Sequence, residues 1–271
     1  MTTWAVTMVR DEADVIGGTL RHMADEVDGL VVADNRSTDD TRKILEALKA
    51  ELTVPVLILD DDNPAYIQSH KMTFLARHAA AQGARWIVPF DADELWFSAE
   101  GRLADVLESS GVGIVEARLF NHFPTAVDPD EADPFDRIVW RQTEPGALPK
   151  VAFRWHRDAV IAQGNHNVWL SNRALREERL EVRHFPYRSE AQFIRKVRNG
   201  AEAYRAADLP PEIGAHWRSY GDLLDRHGEE ALLEVFHRYF WFLSPTDAGL
   251  TPDPAPYLRW QRRYPWQLAP R

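Results

Sequence analysis

Apolar residues in the first hundred positions fall alternately into short runs and helically spaced sets. Trp4-Ala5-Val6-Thr7-Met8-Val9 is a run with β-branched members that ends in Arg10-Asp11-Glu12, and Val15, Ile16, Leu20 and Met23 follow at helical spacing. Leu30-Val31-Val32-Ala33 reads as a second buried strand, stopped by Asp34-Asn35-Arg36-Ser37. Ser37 or Thr38 is the expected N-cap of the helix carrying Ile44, Leu45 and Leu48. A third strand from Val54 to Leu59 breaks at Asp60-Asp61-Asp62-Asn63-Pro64. A helix with Met72, Phe74, Leu75 and Ala79 comes next, then the strand Trp86-Ile87-Val88-Pro89-Phe90. Strands separated by helices imply an α/β fold: a parallel sheet with right-handed crossovers, its ligands beyond the carboxyl ends of the strands. Here those ends carry Arg10-Asp11-Glu12, Asp34-Asn35 and Asp91-Ala92-Asp93.

From about residue 112 the pattern changes. Gly113 to Leu119 and Val151 to Arg154 look like further strands, separated by a polar loop from Asp128 to Phe135. Residues 190–206 and 221–243 read as helices, the second with Leu223, Leu224, Leu232, Leu233 and Phe236 at helical spacing, and Pro210-Pro211 lies between them. The expected organisation is an α/β domain over residues 1–189 and a helical C-terminal region over 190–271 packed on it.

Composition narrows the chemistry. The chain has no cysteine, so thiolate metal sites, disulfides and cysteine nucleophiles are excluded. Residues 1–150 hold 14 bases and 27 acids, residues 151–271 hold 18 bases and 15 acids, and the whole carries −10. An acidic chain of this kind is a poor nucleic-acid binder, whereas acids gathered in one half suit a divalent cation. No apolar run approaches the about 20 residues that span a bilayer. Met1-Thr2-Thr3-Trp4 lacks the features of a signal peptide, so a cytoplasmic location is expected.

Asp91-Ala92-Asp93-Glu94 directly follows a strand, where two carboxylates can converge on one hard cation; a solvated acidic turn is the plain alternative. Asp34 lies too far upstream to cap the next helix and is the more natural ligand contact, while capping accounts for Ser37, Thr38 and Asp39. Lys71, beside His70 and Gln68, either steadies a phosphate or base or is simply solvated, and Lys150, Arg188 and Lys196 raise the same choice. Gln163-Gly164-Asn165-His166-Asn167-Val168 is either a surface turn or a place where backbone and His166 approach an acceptor hydroxyl.

Taken in order, Val9-Arg10-Asp11-Glu12, Val31 to Thr41 and Trp86 to Glu94 resemble the family-2 glycosyltransferases. The later segment His184-Phe185-Pro186-Tyr187-Arg188-Ser189, followed by Gln192-Phe193 and Lys196, resembles a subgroup with an aspartate-alanine-aspartate-glutamate motif. The resemblance covers residues 3–100 and, more thinly, 150–200. It implies a GT-A fold, a Rossmann-like, mostly parallel sheet flanked by helices, here with a helical C-terminal extension. It implies that Val9, Arg10, Glu12, Asp34, Lys71, Asp91 and Ala92 bind the nucleotide. By the same carry-over Asp93 and His184 hold a manganese or magnesium ion directly, and Asp91 contacts the ribose or the metal through water. The implied reaction moves a sugar from a nucleotide diphosphate donor, UDP favoured, to an acceptor hydroxyl with inversion. The chain departs from the family in lacking a Glu-Asp pair between Lys150 and Arg183, which leaves His166, ahead of Asp158, as the expected base.

Two other functions compete. A sugar-phosphate nucleotidyltransferase would carry a Gly-rich loop near the first strand, but Gly17-Gly18 falls inside the first helix. A non-catalytic carbohydrate-binding protein could use the C-terminal aromatics (Trp217, Tyr220, Tyr239, Trp241, Tyr257, Trp260) but has no use for acids at strand ends. Leu258 to Arg271, with four arginines and no acid, suits either peripheral contact with the inner face of a membrane or a homo-oligomer contact.

Overall fold

The computed structural model describes residues 2–171 and 174–253. Its first half alternates strand and helix: β1 (Thr3–Val9), α1 (Ile16–Glu26), β2 (Gly29–Asp34), α2 (Thr41–Glu51), β3 (Val56–Asp60), α3 (Gln68–Ala81) and β4 (Trp86–Pro89). Then come β5 (Glu94–Phe97), α4 (Leu103–Ser109), β6 (Ile114–Asn121), α5 (Pro134–Arg137), β7 (Trp140–Gln142), β8 (Lys150–Arg154), β9 (Val160–Ile161), β10 (Val168–Trp169) and β11 (Arg176–His184). The long helices α6 (Glu190–Arg205) and α7 (Ala215–Tyr239) and the short β12 (Leu250–Pro252) complete it.

Eight strands form one mixed sheet in the order β3-β2-β1-β4-β8-β6-β11-β5. The pairs β3–β2, β2–β1, β1–β4 and β6–β11 are parallel, and β8 and β5 run against their neighbours. The expected α/β architecture, a mostly parallel sheet flanked by helices, is therefore present. Both faces of the central strands are buried, as the lack of polar alternation in β2 requires. Ala5, Val9, Leu30 and Val32 face one core layer with Leu20 and Met23 of α1 and Leu45 of α2. Val6, Val31 and Ala33 face the other with Met72 and Leu75 of α3.

Register carries the three polar clusters to one edge. Val9 lies opposite Asp34 and Asp34 opposite Asp60, so β1, β2 and β3 end together. The chain leaves β4 with the Phe90 amide on the Val6 carbonyl, 3.0 Å, and enters Asp91-Ala92-Asp93 at the same edge. Strands β5 and β11 were not expected from the sequence. They place Glu94 opposite His184, and His184 opposite Asn121 of β6.

Several expectations are corrected. Helix α2 starts at Thr41 with Asp40 before it, and Ser37 and Thr38 do not cap it. The Ser37 hydroxyl accepts from the Asp11 amide at 3.0 Å, and the Thr38 amide and hydroxyl donate to the Asp11 carboxylate at 2.6 and 3.1 Å. Helix α7 begins six residues earlier than the expected position 221 and is interrupted at Gly228, φ 80°. The polar loop from Asp128 ends in the short α5. Residues 254–271, with the arginine-rich tail and its Tyr257 and Trp260, lie outside the described residues. Among the described residues no helix is long and apolar enough to cross a membrane.

Helices α6 and α7 pack on each other through Phe193, Val197, Leu232 and Phe236. They also touch the sheet edge: the Tyr66 amide donates to the Ala203 carbonyl, 3.0 Å, and Asn199 to Asp11, 2.7 Å.

Gly29 opens β2 against the indole of Trp4, and a Cβ there would lie 2.5 Å from the ring. Gly29→Ala should destabilise the protein by about 1–3 kcal/mol, read from the urea midpoint at unchanged slope. An unchanged midpoint would show that Trp4 moves without cost.

Candidate active site

A cavity of about 570 Å³ opens at the carboxyl edge of β1 and β4, walled on its far side by α6 and the start of α7. Val9, Arg10, Glu12, Asp91, Ala92 and Asp93 contribute to its lining, and His166 and His184 stand opposite them.

Asp93 is buried, and its two oxygens meet different partners. Oδ1 faces Nε2 of His184 at 3.6 Å. Oδ2 accepts from Lys196 Nζ at 2.5 Å and lies 3.7 Å from the Arg188 guanidinium. Burial alone would raise this carboxyl, but Lys196, His184 and Arg188 outweigh it and hold it well below the usual carboxylate range. The Asp93–His184 approach follows from the β5–β11 pairing, which also sets the Phe185 amide on the Asp93 carbonyl at 2.9 Å. His184 Nδ1 donates to Asn121 Oδ1 at 2.7 Å, which turns Nε2 toward Asp93.

Asp91 is engaged differently. Its Oδ1 accepts from Gln68 at 2.9 Å and Asn165 at 3.0 Å, and its Oδ2 from Lys150 at 2.6 Å. Both oxygens of Asp91 are thus bonded by protein donors, while 28% of its side chain stays exposed at the cavity. Lys150 also donates to the Gly164 carbonyl at 2.8 Å and forms an ion pair with Glu94 Oε1 at 2.7 Å. Burial would lower the Lys150 ammonium, yet Asp91 and Glu94 raise it above its usual value. Burial pushes Glu94 up, against the charge of Lys150.

Arg188 is fully buried and joins segments far apart in sequence. It pairs with both oxygens of Asp14 at 2.7 and 2.9 Å, with Glu12, and with the Phe185 carbonyl at 3.0 Å. Burial raises the Glu12 carboxyl despite Arg188 and Lys196. Lys150 and Arg188 are thus consumed inside the protein, and neither is free to meet a phosphate. Asp11, at φ 55°, is tied to the Asp34–Thr41 loop. Burial would raise its carboxyl, but bonds from Thr38 and Asn199 hold it below the usual value. Arg10 Nη2 donates to Glu202 at 2.8 Å, whereas Nε and Nη1 are buried at the cavity wall without a hydrogen-bond partner among the described residues.

His166 Nδ1 donates to the Pro149 carbonyl at 2.9 Å, so Nε2 is the basic nitrogen. Burial and the nearby Lys150 lower its pKa. The ring sits over Gly164, φ 77°, where a Cβ would lie 2.5 Å from it, so only glycine admits this approach.

Three expected residues do not line this cavity. Asp34 accepts from the Ser37 amide at 3.1 Å, and its neighbour Asn35 faces the cavity instead. Lys71 pairs with Asp61 and the Asn63 carbonyl, both at 2.6 Å, and lines a second cavity of about 500 Å³. Asp158 is bonded to His156 and stays outside both. Sequence reading missed Asn121 and Asn199, which lie at a strand end and within a helix with no pattern to mark them. Of the aromatics, Tyr187, Tyr204 and Trp217 face the cavity, while Phe236 packs in the core.

No family model and no curated protein matches the chain. Among solved structures, S. aureus TarS 1-349 in complex with UDP is 14% identical over 88% of this chain and 75% of that one, TM-score 0.40. HddC from Yersinia pseudotuberculosis is 11% identical over 45% and 60%, TM-score 0.31. Core-mannan synthase A from Aspergillus fumigatus, in its Mn/GDP form, is 11% identical over 44% and 42%, TM-score 0.29. At such scores these likenesses carry no functional weight, and the geometry of the cavity must carry it.

Two consequences are measurable. Arg188→Met takes the buried guanidinium away from Glu12, while Asp14 keeps Arg195 at 3.7 Å, and should cost about 3–5 kcal/mol in chemical denaturation; a loss under about 1 kcal/mol would contradict a buried hub. In nitrogen-detected NMR, His166 should titrate below the ordinary histidine value of about 6.5, neutral at pH 7 and therefore basic there. A midpoint above it would mean a ring already protonated.

Proposed function

We propose that this chain transfers a sugar from a nucleoside diphosphate donor to an acceptor hydroxyl, with a divalent cation held between Asp93 and His184. The observation that carries the reading is the β5–β11 pairing, which sets a buried carboxylate oxygen and an imidazole nitrogen 3.6 Å apart on the cavity wall. Among the described residues no three His, Cys, Asp or Glu side chains gather as a self-sufficient metal site. One carboxylate and one imidazole nevertheless fit a hard cation that shares a diphosphate and keeps water ligands. When bound, such an ion neutralises charge on the leaving diphosphate.

The protein's own groups supply the rest. The unmatched donors of Arg10, with Asn35 and the loop at Asp11, suit the nucleoside. Asp91, held by Gln68, Asn165 and Lys150, suits a ribose hydroxyl rather than the metal. His166 Nε2 takes the proton of the acceptor hydroxyl as that oxygen bonds to the anomeric carbon. The bond from that carbon to the diphosphate oxygen breaks, and its electron pair leaves with the diphosphate. Attack from the face opposite the leaving group inverts the carbon. Tyr187 and Trp217 give the acceptor side apolar surfaces on which a sugar can stack.

Calorimetry with UDP and GDP, with and without manganese, tests the reading. One nucleotide should bind about 100-fold tighter with the metal, and Asp93→Ala should abolish that gain. Failure of both nucleotides to bind would overturn it. His166→Ala should lower kcat by about 10²–10⁴-fold at unchanged nucleotide affinity; a full-rate variant would remove His166 as the base.

A further inference from the structure

A nucleoside diphosphate brings more negative charge than one divalent ion cancels, so the chain's own cations at the cavity matter. Most are committed elsewhere. Lys150 bonds Asp91 and the Gly164 carbonyl and pairs with Glu94, Arg188 is sealed among Glu12, Asp14 and the Phe185 carbonyl, and Arg195 lies 3.7 Å from Asp14. Arg10 pairs with Glu202 through Nη2, while its other N–H groups are the ones the glycosyl-transfer reading gives to the nucleoside.

Lys196 is different. It stands on the face of α6 that lines the cavity, with Asn199, Gly200 and Ala203 at helical spacing beside it. Its Nζ meets Asp93 Oδ2 and the Pro186 carbonyl, 3.1 Å, which uses two of an ammonium's three donors. Its side chain keeps 22% of its surface exposed. Asp93 therefore presents one oxygen to Lys196 and the other to His184, so a fixed ammonium and an exchangeable cation can sit on opposite sides of one carboxylate.

We infer that Lys196 is a resident cation for the donor's diphosphate, giving the site a nucleotide affinity that does not depend on metal. The inference rests on the glycosyl-transfer reading of the cavity. The remaining N–H of Lys196 bonds a phosphate oxygen from the α6 side while the divalent ion serves from the His184 side. A lysine that only balanced Asp93 would behave otherwise: its removal would make the site more negative, tighten metal binding and leave metal-free nucleotide binding unchanged.

The experiment is calorimetric titration of UDP and of GDP into the full chain in EDTA and in manganese, on wild type, Lys196→Met, Lys196→Arg and Asp93→Ala. Wild type should bind one nucleotide measurably in EDTA. Lys196→Met should lose about tenfold to 100-fold of that affinity, the range of a charge-assisted hydrogen bond, and Lys196→Arg should keep most of it. Asp93→Ala should lose the manganese gain but bind at least as well as wild type in EDTA, because it releases Lys196. Equal affinities of wild type and Lys196→Met in EDTA would overturn the inference. So would a wild type that binds only with manganese, and in both cases the glycosyl-transfer reading survives. No binding under any condition would overturn both. If Lys196→Met does not fold, as its denaturation curve will show, Lys196→Gln takes its place with the same expected loss.

Discussion

Carboxylates crowd one edge of the sheet, and holding their charge together, with Asp93 and Glu94 buried among them, demands cations from distant parts of the chain. Glu12, Asp14, Asp91, Asp93 and Glu94 all lie within reach of three basic side chains, Lys150, Arg188 and Lys196. An isolated buried carboxylate would take up a proton instead. That constraint explains why the region after β11 folds back onto the carboxyl end of β1. Arg188 and Lys196 flank the start of α6, so the helix that walls the cavity is anchored by the charges the cavity contains. The same arrangement gives the carboxylates different roles. Asp91 and Glu94 are spent on Lys150, and Asp93 alone keeps an oxygen facing an imidazole.

Strand register then decides what the cavity can do. Parallel pairing of β1, β2 and β3 brings a nucleoside-sized wall together from Arg10, Asp11 and Asn35. Antiparallel return of β5 along β11 brings Asp93 to His184, and the next pairing supplies Asn121 to orient the ring. Lys150 links this half to the His166 side of the cavity, since it bonds both Asp91 and the Gly164 carbonyl below His166. A shift of β11 by one residue would turn His184 to the other face of the sheet and dissolve the pair.

How much of this the sequence discloses depends on the range of the interactions. The alternation of apolar runs and helical spacing located β1 to β4 and hence the three polar clusters, because those strands are buried on both faces. Strand β5 escaped because Glu94-Leu95-Trp96-Phe97 continues the acidic motif without a break. Strand β11 escaped because it opens with Arg176, Glu177, Glu178 and Arg179, charged residues that meet Glu116 and Glu100 on neighbouring segments. Ser37 and Thr38 have the chemistry of helix caps, but Asp11 competes for both, and only the tertiary contact reveals it. Asp93 and His166 could be singled out from type and spacing, and His184 from the family resemblance of its segment. How each oxygen of Asp91 and Asp93 is partnered depends on Gln68, Lys150, Asn165, His184 and Lys196, whose convergence no local pattern encodes.

Everything proposed for the cavity turns on Asp93 and His184, and not Asp91, forming the protein's half of a cation site completed by a nucleoside diphosphate. The sharpest measurement is anomalous diffraction at the manganese edge from crystals grown with manganese and UDP or GDP. A single peak is expected in the cavity at coordination distance, about 2.0–2.3 Å, from Asp93 Oδ1 and His184 Nε2 and bridged to the diphosphate. A peak on Asp91 instead, or a nucleotide bound with no anomalous signal beside Asp93, would contradict that assignment.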